Sequence, residues 1–321
     1  MKKFRFILLL MVMISGCQAE PTNQKSEEES TEQVSTTSGV SDKVSDNIKQ
    51  SIANLLGKSS GDAVTDDDFL KVTEFYVQSE DPTLEMALKA MPNITLLSIE
   101  VPLKNLSFLH EMNNLQYLTI IGNSLDDIDF SSLPNLTEVS LMNGQIKNMD
   151  SLRSLKNVTS LSMIHFNLKD ITALKDLTQL TSLDLSENNI ESIAPIQDLQ
   201  TLSYLNLSNN NIENTEQFEA FSHITNLSIS DNPIKSIEFV KAMPNLEVLR
   251  IANTNISDLS PLETAAKLFS LDIRETNVVS IQPLSQLSNL SYLFLNKNTV
   301  NDWTLLENKE GLTISESMMA E

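Results

Sequence analysis

The chain is 321 residues long and holds one cysteine, one tryptophan and seven glycines. A lone thiol excludes any disulfide within the chain. The one G-x-S-x-G match, Gly57 to Gly61, follows a helical pattern and not a strand, so it makes no nucleophile elbow, and there is no Gly-rich phosphate loop. The three histidines, His110, His165 and His223, form no H-E-x-x-H pattern and have no paired cysteines beside them. Catalysis, metals and cofactors therefore have no residue set to carry them, and a non-enzymatic protein is expected. Basic residues are also scarce, with 22 Lys and Arg against 43 Asp and Glu for a net charge of −21. That balance excludes nucleic acid as a partner and disfavours docking on anionic lipid headgroups. Aromatics are 5% of a chain that is 40% hydrophobic, so the core must be tiled by Leu and Ile. The apolar run Phe6 to Ile14 is too short to span a bilayer as a helix.

What the chain does have is a repeat of 22 residues. With Leu180 as position 1, apolar residues fall at Leu183, Leu185, Ile190, Ile193, Ile196 and Leu199, with Asn188 at position 9. The cycle starts at Val72, Ile94, Leu115, Leu136, Val158, Leu180, Leu202, Ile224, Leu246, Leu268 and Leu290, with two steps of 21. Self-similarity at this period predicts a solenoid. The pattern resembles the leucine-rich repeat. That resemblance implies an α/β fold: a right-handed solenoid, or horseshoe, with a parallel β-sheet on its concave face.

The phase assigns a direction to each strand residue. Positions 4 and 6 point inward, while 3, 5 and 7 point out. Inward Asn at position 9 can satisfy backbone groups where the chain leaves the strand; Asn123, Asn188, Asn210, Asn232 and Asn298 stand there. Thr254 and Thr276 can do part of this. Pro102, Gly144 and Phe166 cannot, which predicts local irregularity at those three. Pro92, Pro134 and Pro244 suit the tight turn into the next strand. Asn-x-Ser/Thr triplets such as Asn93–Thr95 read as by-products of the repeat.

The N-terminal segment is of a different kind. Lys2, Lys3 and Arg5 precede the apolar run, and Ile14-Ser15-Gly16-Cys17 resembles a bacterial lipobox. The resemblance implies cleavage of signal peptide 1–16, lipidation of Cys17 and attachment to the extracytoplasmic face of a bacterial cell membrane. An ordinary secretion signal with an incidental Cys is the competing reading. Residues 17–45 are rich in Glu, Ser, Thr and Gln, which predicts a disordered tether reaching at most about 100 Å.

Order is expected from Asp46. Ile48, Ile52, Leu55 and Leu56 share a helical face before Gly57, and Thr65-Asp-Asp-Asp68 reads as a capping box with acids at a helix N-terminus. Segment 46–71 resembles the helical N-cap of internalin-like bacterial leucine-rich repeat proteins. It is followed by about eleven repeats with a C-terminal lid over 72–311 and a tail at 312–321.

Ligand contacts would be written in the free strand positions. The N-terminal half carries apolar or aromatic residues there: Tyr76, Leu96, Tyr117, Ile121, Met142 and Ile164, with His165 beside them. Read as one exposed patch, five such side chains offer on the order of 7–15 kcal/mol before association costs. The competing reading is that the cap, the tether or sheet curvature covers part of it. A second cluster is Arg250, Arg274, Tyr292 and Phe294, which can meet a carboxylate or be consumed in an internal network with Asp272 and Glu275. Resemblance to internalins implies a surface protein that binds a host or other protein ligand on the concave face, an adhesion-type role. A short tether favours the alternative, an envelope-internal scaffold or inhibitor that binds another bacterial protein near the membrane.

Overall fold

The structure is a computed structural model and describes residues 39–59 and 61–316. Cys17 and segment 1–16 lie outside the described residues, as does most of the expected tether.

One sheet organises the described chain. Its strands are β1 (Glu74–Val77), β2 (Leu96–Ile99), β3 (Tyr117–Ile121), β4 (Glu138–Met142), β5 (Ser160–Ile164) and β6 (Ser182–Asp184). They continue as β7 (Tyr204–Asn206), β8 (Asn226–Ser228), β9 (Val248–Arg250), β10 (Ser270–Asp272), β11 (Tyr292–Phe294) and β12 (Thr313–Ser315). All pair in parallel and in chain order, as a solenoid of leucine-rich repeats requires. Each of β1 to β11 begins at position 3 of its repeat. The two 21-residue steps fall where Leu97 pairs with Leu118 and Leu118 with Val139.

Successive parallel strands need a crossover. Here each return run from β2 onward carries a short 3-10 turn, such as Ala194–Ile196 and Glu238–Ala242. Strand and return run close over the apolar positions. Leu180, Leu183, Leu185, Ile190, Ile193, Ile196 and Leu199 are all fully buried.

Polar ladders join the repeats where the backbone cannot. Asn188 donates to the carbonyls of Met163, Leu185 and Ser186 (2.8, 3.0 and 3.1 Å) and accepts the N–H groups of Phe166 and Leu168 at 3.0 Å. Asn210 and Asn232 repeat the arrangement one and two turns on. Thr254 and Thr276 reach one carbonyl each, at 2.7 and 2.6 Å. Asn298 departs from expectation: it stands exposed, and Asn296 bonds to Glu275 instead. The irregularity expected at Gly144 and Phe166 takes the form of longer strands. β3, β4 and β5 have five residues, while β6 to β11 have three. A Cβ on Gly144 would lie 2.5 Å from the Phe166 ring and 2.7 Å from the Asn123 carbonyl, so the ring occupies the space where an amide would sit. A second ladder was not legible as one. Asn93, Asn114, Asn135, Asn157, Asn245 and Asn289 each stand just before position 1; Asn93 donates to the Leu70 carbonyl of the cap and the others to a carbonyl of the preceding repeat.

Both ends of the stack differ from the expected boundaries. Order does not begin at Asp46: Val40–Lys43 forms a helical turn, α1, and Val44 is buried in the core. Here the Asp66 carboxylate accepts the Ser41 N–H at 2.7 Å, which holds the segment down. The cap helices α2 (Asp46–Leu55) and α3 (Asp66–Phe69) follow, with Ile48 and Ile52 buried, and α4 (Leu84–Lys89) packs between β1 and β2 in sequence. Asp68 is buried and is held by Lys58 at 2.5 Å and Lys71 at 2.9 Å, while the Thr65 N–H donates to it at 2.8 Å. At the other end the expected tail contributes β12, paired to β11, with Leu312 and Ile314 packed against the core.

Two stability measurements check this account. Asn210→Ala leaves the buried Ile190 N–H without its partner and takes one of two donors from the Leu185 and Leu207 carbonyls, which should cost about 1–3 kcal/mol in urea unfolding. Lys58, together with the Thr65 N–H, holds the Asp68 carboxyl well below the usual carboxylate range. A depressed folded value gives stability that is full above the unfolded value and is lost as pH falls through the folded one. Asp68→Asn should therefore cost about 2–3 kcal/mol at pH 7. That difference from wild type should shrink progressively below about pH 4.

Candidate ligand-binding face

The side chains at positions 3, 5 and 7 form three rows that cross the strands on the open side of the sheet. Neighbours within a row are about 4.8 Å apart, whereas rows 3 and 7 are about 13 Å apart along each strand. This geometry divides the expected apolar patch. Ile121 pairs in register with Met142, and Met142 with Ile164, so these three make one continuous stretch of row 7. Leu96 pairs with Tyr117 in row 3, where Glu138 and Ser160 then interrupt it. Between the rows run the small hydroxyl residues Ser98, Thr119, Ser140 and Ser162. Tyr117 is 39% exposed; Leu96, Ile121, Met142 and Ile164 are half-buried.

Tyr76 belongs to neither stretch. It stands in row 5 on β1, in a cleft shared with Asn47, Ile48 and Gln50 of α2, and its hydroxyl reaches Glu74 at 3.3 Å. Burial and then Glu74 push that hydroxyl's pKa up.

His165 lies just past row 7, exposed, with Nδ1 3.1 Å from Glu187. Its φ of 62° reveals a feature missed in the sequence. Position 8 is left-handed in eight successive repeats, at Gly122, Asn143, His165, Glu187, Asn209, Asp231, Asn253 and Glu275. The chain leaves the sheet through this conformation, which Gly, Asn and Asp tolerate best. Their abundance at position 8 was the available signal, and two Glu residues masked it. His110 accepts the Asp129 N–H at 3.0 Å and His223 lies 3.1 Å from the Leu199 carbonyl, so the three histidines serve three separate local contacts.

The C-terminal cluster resolves into a paired and an unpaired arginine. Arg274 grips Asp272 with two bonds, at 2.9 and 2.6 Å, and its guanidinium lies 5.8 Å from the centre of the Phe294 ring. Glu275 does not join this network; it bonds to Asn296. Tyr292 stacks edge-on with Phe269 at 5.1 Å. Arg250 is half-buried in row 5, beside Asp272 in register, yet its side chain has no hydrogen-bond or ion-pair partner among the described residues. Further along the same row, Asp184 accepts from Ser186 and Asn206 and has no cation beside it. Burial and then Asp184 push the Tyr204 hydroxyl pKa up while Arg250 opposes them, so both charges are felt at that ring.

Comparison with known proteins agrees with this geometry. The "Leucine rich repeat" family model matches residues 178–234, and "Leucine Rich repeats (2 copies)" matches residues 222–264. No curated protein sequence matches the chain significantly. Among solved structures, an internalin of Listeria monocytogenes, inlF, superposes with a TM-score of 0.68 at 22% identity, covering 90% of this chain and 100% of that one. The functional domain of InlJ from the same organism, which includes a cysteine ladder, gives 0.61 at 19% identity over 86% of this chain and 67% of that one. The ectodomain of a receptor kinase of Arabidopsis thaliana, solved with Casparian strip integrity factor 2, gives 0.58 at 19% identity over 70% and 30%. Residues 178–264 thus match leucine-rich repeat models, and the fold of the described chain is internalin-like.

The left-handed turn is testable at Asn209, whose φ is 55° and whose side chain is exposed. Asn209→Val should destabilise the protein by about 1–3 kcal/mol, because a β-branched residue is strained there. Asn209→Gly should leave the denaturant midpoint within error of wild type.

Proposed function

We propose that the protein is a membrane-anchored bacterial surface lipoprotein that binds a protein ligand on the strand face of its repeats, in an adhesion or host-interaction role. One observation carries the binding reading: apolar side chains recur at outward positions where the fold requires none. Ile121, Met142 and Ile164 form one such surface beside Tyr117. Fully covering the three aliphatic side chains contributes on the order of 4–9 kcal/mol before association costs, less than an undivided patch would offer. The anchor reading rests on Cys17 after its apolar run.

A second reading, an envelope-internal scaffold or inhibitor of another bacterial protein, is favoured by the early start of order. With α1 beginning at Val40, the segment after Cys17 can reach at most about 80 Å, which holds the repeats nearer the membrane.

Pull-down from separate host and envelope extracts tests both readings. Wild type should capture a partner, and Tyr117→Ala with Ile164→Glu should abolish capture while circular dichroism stays unchanged. Cys17→Ser should move the protein from the membrane fraction to the medium. Undiminished capture by the double variant would sink the proposed face. A partner found only in the envelope extract would select the second reading.

A further inference from the structure

Row 5 carries an unusual charge arrangement between β6 and β9. Its members, in register, are Asp184, Asn206, Ser228 and Arg250. Cations are scarce on this face. Of the three described arginines, Arg153 is held by Asp150 and Asp176 and Arg274 by Asp272, which leaves Arg250. Arg250 and Arg274 are also the only cations at positions 3, 5 or 7 of β1 to β11. On the opposite side of the same row, Asp184 is satisfied by hydroxyl, amide and backbone donors but by no cation. Asp272, beside Arg250 in register, is bound at both carboxylate oxygens by Arg274 and makes no bond to Arg250.

These two charges are three strand spacings apart, about 14 Å. In an extended peptide, residues i and i+4 point to the same side and are about 13 Å apart. The groups between them suit a backbone laid across the strands. Asn206 is half-buried and polar, and the Ser228 hydroxyl is paired to Ser208 at 2.6 Å.

We propose that this row reads an extended segment of the protein ligand carrying a basic and an acidic side chain four residues apart, the basic one on Asp184 and the acidic one on Arg250. The proposal rests on the strand-face binding reading and names the class of segment recognised. Charge complementarity selects this occupant. Glu74, Glu100 and Glu138 extend the negative end of the face toward β1, so a segment running past Asp184 gains from further basic residues. Beyond Arg250 the row continues to Asp272, which the Arg274 guanidinium covers, and to Phe294, against which it lies.

The test uses the purified protein and blocked synthetic peptides in a Ser/Val background. Each peptide carries one Lys and one Glu at i,i+2, i,i+4 or i,i+6, in both orders. A Lys/Lys peptide at i,i+4 and an uncharged peptide with a free C-terminus complete the set. In fluorescence anisotropy one order of the i,i+4 Lys/Glu peptide should bind about tenfold more tightly than the other spacings. Arg250→Gln and Asp184→Asn should each remove that preference. Arg250→Glu should transfer it to the Lys/Lys peptide. Because Arg250 has no partner to lose among the described residues, its variants should keep the wild-type circular dichroism. Absence of any spacing preference, a preference unchanged in Arg250→Glu, or equal binding of the uncharged peptide through its terminus would each overturn the proposal. If wild type still captures a partner while the peptides show no preference, only this assignment fails. If capture fails as well, the strand-face reading falls with it.

Discussion

Every repeat must solve one problem: the backbone leaves a hydrogen-bonded sheet and turns through a Leu/Ile core in which unpaired N–H and C=O groups are costly. The inward amides of Asn188, Asn210 and Asn232 solve it by linking each repeat to the one before, with donors and acceptors both used. The left-handed residue at position 8 aims the chain so that the amide can reach. The rest follows from that joint. Strands stay short, crossovers stay tight, and the outward residues are free to vary without cost to the fold. Only the ends lack a neighbouring repeat; α2 with Asp68 closes one and β12 closes the other.

Much of this was legible in the sequence because the apolar period is strict. Once Leu180 fixed the phase, all eleven strands and both 21-residue steps fell in place. Less regular features were hidden for physical reasons. β12 is three residues with no repeat around it, and its pairing depends on β11 alone. The Asn residues before position 1 looked like chance triplets, since their bonds run to a carbonyl about 22 residues away. Asn298 fits the ladder by position but lies in the last repeat, where no regular repeat follows it.

The candidate face shows the same division between pattern and geometry. Tyr117 and Ile164 share an orientation in a linear census, yet rows 3 and 7 are separated by four residues along each strand. Which arginine is consumed was not legible, because Arg250 and Arg274 are both near Asp272 in register. Only the two-pronged bond from Arg274 decides it. The two halves thus offer different surfaces: aliphatic row 7 on β3 to β5, and a charged row 5 on β6 to β9.

These halves also differ in how they can change length over evolutionary time. From β6 to β8 the units are nearly interchangeable, since each presents the same amide to the same carbonyls. Gly144 and Phe166, by contrast, fit only each other. Duplication or loss of one genetic unit is therefore tolerated between β6 and β8 and opposed between β4 and β5. A unit gained in the tolerant region would move Arg250 one strand spacing, about 4.8 Å, farther from Asp184. Recombination in this gene would then act as a length adjustment on what the face can measure.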